Sequence, residues 1–537
     1  MEAKQCTEEK KERIVLVFDV GTQSTRALLI NNRGCILAKA QRKHEPPYVS
    51  PDTDYAEQDA QFYYRKICEA AQLLKEKEPE RWERMEAVSL TTIRSTCVCV
   101  DREGTPIRPA FVWLDNRKAD GKPRFSQLSK IMLKAVGMEQ TAVMQYRKAQ
   151  CNWMREKEPD NWEKTYKYLM ISGYLVFRLT GIMADSAASM VGRIPFDHRT
   201  RTWQKKSDLT RPVFPIEPEK LCRIFEPGEI LGRFSAQAAA DTGIPEGMPL
   251  IASGSDKACE ILGLGCITKE KAAISFGTTA TVTFTTDVYV EPERFIPPYA
   301  SVIKGHFTPE IEIFRGYWLV SWFKREFAVK EIETAKTLGV SAEELLNRRL
   351  KEVPAGCEGL IFQPYFTPNT TMPAARGAVI GFSDVHTRIH IYRAIIEGIN
   401  FALMDGMKLL EKQSGHKFLE IYVGGGGAQS DEICQITADM FGLPVIRTQT
   451  FEVSGIGSAI AAFVGMGEFS CYEEAVENMV FKKDFFSPDM QQHQIYNTLY
   501  EEIFRNIYGR LSPLYQRLND IYKSALKTLD INGPEKV

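Results

Sequence analysis

Residues 18–26 read FDVGTQSTR, and the apolar run IVLVF (14–18) leads into them, so Asp19 sits where a buried strand ends. The turn DVGTQST is followed by a second apolar run, RALLI (26–30), a turn NNRG (31–34) and a third run, CILA (35–38). Short apolar runs punctuated by Gly and Asn predict an antiparallel meander. A helix should follow, because Asp59 is placed to cap AQFYYRKICEAAQLL, whose apolar residues recur at helical spacing.

The same hairpin recurs about half the chain later. KAAISFGTTATVTFTT (271–286) is again an apolar run, a Gly-Thr turn and a β-branched run. Two related domains are expected, since a single core stops growing near roughly 250–300 residues and this chain has 537. A Gly-Thr turn offers backbone N–H groups and a hydroxyl to an anion. Either turn alone is equally an ordinary tight hairpin, but the pair favours a polyphosphate. A third glycine cluster, IYVGGGGAQSDEICQITADMFGLPV (421–445), predicts strand, glycine turn and helix, with anion-binding amides and a flat surface for a planar ring. G-x-G-x-x-G is not met there or at Gly455-Ile456-Gly457, and no G-x-x-x-x-G-K-[ST] occurs, which argues against a Rossmann or P-loop enzyme.

Composition narrows the classes. Sixty-eight basic and 69 acidic residues give a formal net charge of -1, without long blocks of one sign, against nucleic acid as main partner. The 12 cysteines and seven histidines show no zinc spacing, as in a reduced cytoplasmic chain. MEAKQCTEEKKER is charged, and no 18-residue apolar run occurs, so neither secretion nor membrane insertion is expected.

The ordered set DVGTQSTR, WLDNR, GSDKA, SFGTT and GGGGAQS resembles the FGGY carbohydrate kinases over roughly residues 14–470. GAVIGF (377–382) with HIYRAIIEG (390–398) is similar to that family's C-terminal signature, with Phe382 at a usually aliphatic position. The resemblance implies an α/β fold of two ribonuclease-H-like domains, of the actin and sugar-kinase type, around an ATP and sugar cleft. The expected divisions are an N-terminal tail 1–13, a sugar-binding domain 14–265, a nucleotide-binding domain 266–525 and a C-terminal tail 526–537. A periodic run beyond 488 should close the fold, with LDINGPEKV fraying.

Site roles follow from the same resemblance. Phosphoryl transfer passes through a loose transition state, so the protein chiefly positions substrates and neutralises charge. Asp19 would hold Mg²⁺, which keeps most of its waters and takes few carboxylates. Gly21, Thr22, Gln23 and Ser24 would meet the phosphates of ATP, with Arg26 assisting. Asp256, in IASGSDKACEILG, would be the general base, kept ionised in a first helical turn. Gly277, Thr278 and Thr279 would form the second phosphate turn, and Gly426, Gly427, Ala428 and Ser430 would cradle adenine and ribose. Each has a plainer reading beside it: a strand-end cap for Asp19, an ordinary cap for Asp256, close backbone approach for the glycines. Lys257 is expected in solvent.

The sugar is expected to meet Trp113, Asp115 and Arg117 of FVWLDNRKAD (111–120), Arg94 of SLTTIRSTCVCVD (89–101), and Asp256. A tryptophan on an apolar strand also serves as core. Arg94-Ser95 stands where glycerol kinase has Arg-Glu and xylulokinase Met-His, so neither sugar is singled out. Glu57 and Gln58 of YAEQD fix a loop. Ala149-Gln150 replaces the family's Pro-Lys, and YFTPNTTMP (365–373) lacks its G-E-R-x-P, which opens the alternative of a linear diol or ketone like that of the autoinducer kinases. The fold alone also permits a conformational ATPase or a sugar-sensing regulator; Asp19, Asp256 and the W-L-D-N-R segment favour a kinase. The partners expected are a small sugar or polyol and, at most, a second copy of the chain.

Overall fold

The structure, a computed structural model, describes residues 11–293, 296–368 and 371–528. The expected tails 1–13 and 526–537 lie mostly outside these, as does the centre of YFTPNTTMP. Arg13, at the edge of the expected N-terminal tail, is held by Glu86 at 2.6 Å.

The chain forms two compact units. The first comprises residues up to Ile267 together with Thr285–Thr308 and Glu452–Phe481; the second comprises Thr268–Phe284, Pro309–Phe451 and residues from Lys482 onward. In the first, β1 (Ile14–Val20) and β2 (Ser24–Asn31) pair antiparallel, and β3 (Ile36–Lys43) continues the meander. All seven residues of β1 are buried, as a central strand covered on both faces requires. β4 (Met85–Thr92) runs parallel to β1; β5 (Ile230–Arg233) and β6 (Pro249–Ile251) complete a six-stranded sheet of order β5-β6-β4-β1-β2-β3.

The second unit repeats this plan. β7 (Lys271–Phe276), β8 (Ala280–Phe284), β9 (Glu310–Ile313), β10 (Glu420–Gly424), β11 (Val445–Thr448) and β12 (Lys482–Phe486) give the order β9-β8-β7-β10-β11-β12. In both sheets the first hairpin is antiparallel, the next two strands run parallel to its first strand, and the last turns back antiparallel. This is the duplicated ribonuclease-H-like order expected from the sequence.

Helices cover the sheets for local reasons. α1 (Ala60–Lys77) starts where Asp59 accepts the Gln61 N–H at 3.0 Å, and it buries Ala60, Tyr63, Tyr64, Ile67, Ala70, Ala71 and Leu74 along one face. α2 (Asp256–Gly263) packs on α3 (Val453–Gly465) within the first unit. A Cβ on Gly263 would lie 1.9 Å from the Val453 carbonyl oxygen, and one on Gly457 1.8 Å from that of Cys259, so only glycine permits the approach. This explains why Glu452–Phe481, which the sequence places with the nucleotide-binding domain, packs with the first unit: Ile456, Ala459, Ile460 and Phe463 join Val15, Val17 and Cys259 in one core.

After β12 the second unit ends in two helices, Met490–Leu499 and Arg505–Thr528, joined by a π-turn at Tyr500–Phe504. The C-terminal signature is structural in this unit. Arg393 Nε donates to Glu397 at 2.7 Å, Tyr496 Oη donates to the same carboxylate at 2.7 Å, and a Cβ on Gly398 would strike the Phe362 carbonyl at 2.3 Å.

Candidate active site

In the first unit Asp19, the penultimate residue of β1, faces Arg26 across the hairpin. Arg26 Nη1 lies 2.8 Å from Asp19 Oδ2 and 3.2 Å from Glu452 Oε2, and Lys39 Nζ lies 2.5 Å from Glu452 Oε1. Burial raises the Asp19 pKa; Arg26 opposes that rise and Glu452 adds to it. Arg26, expected to assist at phosphate, is thus already shared by two carboxylates. Glu452 was not singled out from the sequence, and its only signal there is an acid just ahead of the small, apolar helix VSGIGSAIAAF.

The turn itself is tight. Gly21 N–H donates to the Ser24 carbonyl at 2.9 Å, and His44 Nδ1 lies 3.0 Å from the Thr22 carbonyl. Trp113 is half-buried and donates its indole N–H to Thr22 Oγ1 at 2.9 Å, tying the W-L-D-N-R segment to the turn. Gln23 is exposed, and Ser24 Oγ accepts from Gln41 at 2.9 Å.

Asp115 and Arg117 are 4% and 5% exposed and satisfy one another, Arg117 Nη2 lying 2.7 Å from Asp115 Oδ2 and 2.6 Å from Glu57 Oε1. Asp115 also accepts the Ala56 N–H, and the Arg117 guanidinium lies over Tyr55, 3.7 Å from its ring centroid. Arg117 Nη1 is buried without a hydrogen-bond partner. Glu57, read from the sequence as fixing a loop, is the acid that joins Arg117 to Arg108.

Asp256 opens α2 beside its N-cap, Ser255. The Lys257 N–H donates to Asp256 Oδ1 at 2.8 Å. Burial pushes the Asp256 carboxyl up to about 6, against the pull of Arg94 and Lys257, with Asp19 adding to the rise. Lys257 does not point into solvent as expected; its ammonium pairs with Glu260 at 2.7 Å, one helical turn on, because both extend along the same face of α2. Arg94 lies just past β4, its guanidinium 5.5 Å from the Tyr299 ring centroid. The structure therefore brings Arg94 and Asp19 into electrostatic reach of Asp256 within one unit, and it joins Trp113 to Thr22.

In the second unit, Gly277, Thr278 and Thr279 connect β7 to β8. The Gly277 carbonyl accepts from Tyr317 N–H at 3.0 Å and that of Thr278 from Trp318 N–H at 3.3 Å, while the Thr278 side chain is exposed. The glycine cluster follows β10. Gly425 has φ 81°, and a Cβ there would lie 2.8 Å from the Phe276 backbone; one on Gly427 would lie 2.3 Å from the Tyr317 ring. At Gly426 nothing lies within 4 Å, so this residue presents open backbone. Ala428 is fully buried and its carbonyl accepts from Arg447; Ser430 caps α4 (Asp431–Phe441), accepting the Ile433 N–H at 3.3 Å. A flat glycine turn before a helix N-terminus is the kind of surface a nucleotide needs.

Among the described residues no group of three His, Cys, Asp or Glu side chains is placed to hold a metal ion, and no helix is long and apolar enough to cross a membrane. Magnesium takes one or two carboxylates and completes its shell with phosphate oxygens and water; the acids beside this turn are Asp19 and Glu452, both paired with Arg26.

Comparison with known proteins identifies the family. A profile of the FGGY family of carbohydrate kinases, N-terminal domain, matches residues 14–263, and one of the C-terminal domain matches residues 272–466. The chain is 27% identical over 520 residues to the uncharacterized sugar kinase YgcE of Escherichia coli (strain K12), covering 97% of this chain and 98% of that protein. It is 26% identical over 521 residues to a xylulose kinase of Bacillus subtilis (strain 168), covering 95% and 100%. A gluconate kinase from Lactobacillus acidophilus has a similar fold, with a TM-score of 0.79 at 20% identity over 95% of this chain and 100% of that one. The chain belongs to the FGGY family of carbohydrate kinases, ATP-dependent sugar phosphotransferases.

Proposed function

We propose that the chain phosphorylates one hydroxyl of a small sugar, sugar acid or polyol, with Asp256 as general base and Asp19 as the carboxylate toward Mg²⁺. The observation that carries this reading is Asp256 itself: a carboxylate in the first turn of a helix, raised by burial to about 6 and faced by Arg94. Such a group is mostly ionised at neutral pH yet basic enough to accept a proton. It takes the hydroxyl proton as the substrate oxygen bonds to the γ-phosphorus and the bond to the ADP oxygen breaks. Arg94 orients an oxygen of the acceptor. Trp113 holds Thr22 so that the Gly21–Ser24 turn keeps its shape for phosphate, and the Gly277–Thr279 turn takes phosphate oxygens as well. Gly426 and Gly427 lie under the nucleoside, with Ala428 and Ser430 setting the start of the helix behind them. Bound with the nucleotide, Mg²⁺ neutralises charge on its phosphoryl oxygens.

The test is ADP release with Mg-ATP against xylulose, gluconate, glycerol, other ketopentoses and ketohexoses, and linear diols, run with wild type and Asp256→Asn. One acceptor giving turnover that Asp256→Asn lacks supports the reading. A turnover number in the variant near that of wild type removes Asp256 from the role of base.

A further inference from the structure

Gly316, Tyr317 and Trp318, where the helix Trp318–Phe327 begins, run alongside the second Gly-Thr turn. A Cβ on Gly316 would lie 2.3 Å from the Ala280 nitrogen, the Tyr317 N–H donates to the Gly277 carbonyl at 3.0 Å, and the Trp318 N–H donates to that of Thr278 at 3.3 Å. The main chain is thus fastened to the turn by bonds that do not involve the side chain of residue 317. That side chain reaches across to the other glycine cluster. Its ring packs on Phe276, the last residue of β7, with centroids 5.1 Å apart, and a Cβ on Gly427 would come within 2.3 Å of its Cε1. Phe276 in turn abuts Gly425. One aromatic ring therefore lies between the two glycine-bearing turns of the second unit. Its hydroxyl gives no separate reason for a tyrosine, because among the described residues Oη is buried without a hydrogen-bond partner. A buried hydroxyl left unpaired costs free energy, so the ring and not its polar end is what this position uses.

We propose that Tyr317 is a positioning residue for the nucleotide: its ring is the spacer that sets the separation of the Gly277–Thr279 turn from the Gly425–Gly427 turn, and so the register of polyphosphate against nucleoside. This rests on the reading of those turns as the phosphate and nucleoside contacts. A ligand held at both ends gains over its separate halves, because binding one end presents the other at high local concentration. The gain is lost when the two sites no longer match the length of the ligand. The ring touches backbone at Gly427 directly, and close-packed contacts of this kind transmit a change in volume to their neighbours. Phenylalanine keeps the spacer and leucine does not.

Dissociation constants for Mg-ADP, adenosine and Mg-pyrophosphate are measured by calorimetry, the two halves in competition with ADP, on wild type, Tyr317→Phe and Tyr317→Leu. Tyr317→Leu should raise the Kd of Mg-ADP about tenfold, while adenosine and Mg-pyrophosphate each stay within about twofold. ATP KM should rise with it and acceptor KM should not. Tyr317→Phe should bind ADP as wild type does and melt at a higher temperature, having shed the unpaired hydroxyl. A loss in the leucine variant shared equally by ADP and one of its halves would mean that Tyr317 shapes that one turn only, and an unchanged ADP affinity would mean that it shapes neither; either result overturns the proposal. Wild type that binds ADP no more tightly than pyrophosphate removes the nucleoside role of the glycine turn and the proposal with it. Wild type that binds adenosine, beside a leucine variant indistinguishable from it, strikes the spacer alone. Tyr317→Met repeats the measurement should the leucine variant fail to fold.

Discussion

The two Gly-Thr hairpins share a strand order and a sequence pattern, and they differ most at one cross-strand pair. Asp19 faces Arg26 in the first; Ser275 faces Thr281 in the second. The first pair is charged and tied onward to Glu452, whereas Thr281 Oγ1 is buried without a hydrogen-bond partner. The turns differ as well: Thr22 is held by Trp113, while the Thr278 side chain is exposed. The second hairpin has instead a glycine turn against it, Gly425 touching Phe276. A duplicated scaffold thus supplies the Gly-Thr turn twice and sets a charged cross-strand pair behind it once.

The comparison predicts a large asymmetry between matched substitutions. Asp19→Ala should lower kcat about 10²- to 10³-fold, the range for removing one preorganised charged or polar group from such a site, and Asp256→Asn about 10²- to 10⁴-fold. Ser275→Ala, at the equivalent position, should leave kcat within about threefold, consistent with losing one neutral hydrogen bond outside the chemistry. Steady-state ADP release on the three variants checks this. Comparable losses at Asp19 and Ser275 would show that the hairpins share the catalytic charge work after all.

The next effect concerns stability at the second hairpin. Gly425→Ala forces a left-handed φ on alanine and drives a Cβ against the Phe276 backbone, at a cost of about 1–3 kcal/mol or more. Gly426→Ala meets open space and should fall within about 0.5 kcal/mol of wild type, while weakening ATP binding if the nucleoside lies on that turn. Denaturant melts and ATP titration of the two variants separate packing from recognition. A Gly426→Ala protein with unchanged ATP affinity would leave the glycine turn a purely structural device.

Much of this was legible in the sequence, and the reasons are local. Both hairpins, the Asp59 cap and the strand-turn-helix at 421–445 follow from period, turn residues and capping chemistry that neighbours in sequence supply. What was not legible depends on segments brought together by the fold. Nothing near Glu452 announces that it would share Arg26 with Asp19, some 430 residues away. Glu57 and Arg117 were noted separately, yet their pairing exists only because a short strand sets Glu57 opposite Phe111. Lys257 departs from the expectation because a lone lysine in a helix reads as solvated, whereas the fold buries its turn-mate Glu260 beside it.

The smallest effects concern the protonation of Asp256. With the carboxyl raised to about 6, kcat/KM should fall as pH drops through that value, because the base becomes protonated. The charges acting on it are Arg94 and Lys257, which favour ionisation, and Asp19, which disfavours it. Folding carries the opposite sign from the usual acid. The folded state holds the proton more tightly than the unfolded chain, whose aspartate titrates near 3.8, so this group's contribution to stability falls as pH rises from about 4 to about 6. Above that window the ionised carboxylate costs of order 1–3 kcal/mol. Asp256→Asn should therefore melt no lower than wild type at pH 8 even as it loses turnover, and its advantage should vanish near pH 4. Lys257→Met removes one of the two favouring charges and should move the acid limb of kcat/KM up by less than about one pH unit, since half-buried pairs are partly screened. Ser275→Ala should leave that limb where it is. A limb shifted equally by Lys257→Met and Ser275→Ala would mean that the titrating group is not Asp256, and the division of labour between the hairpins would lose its base.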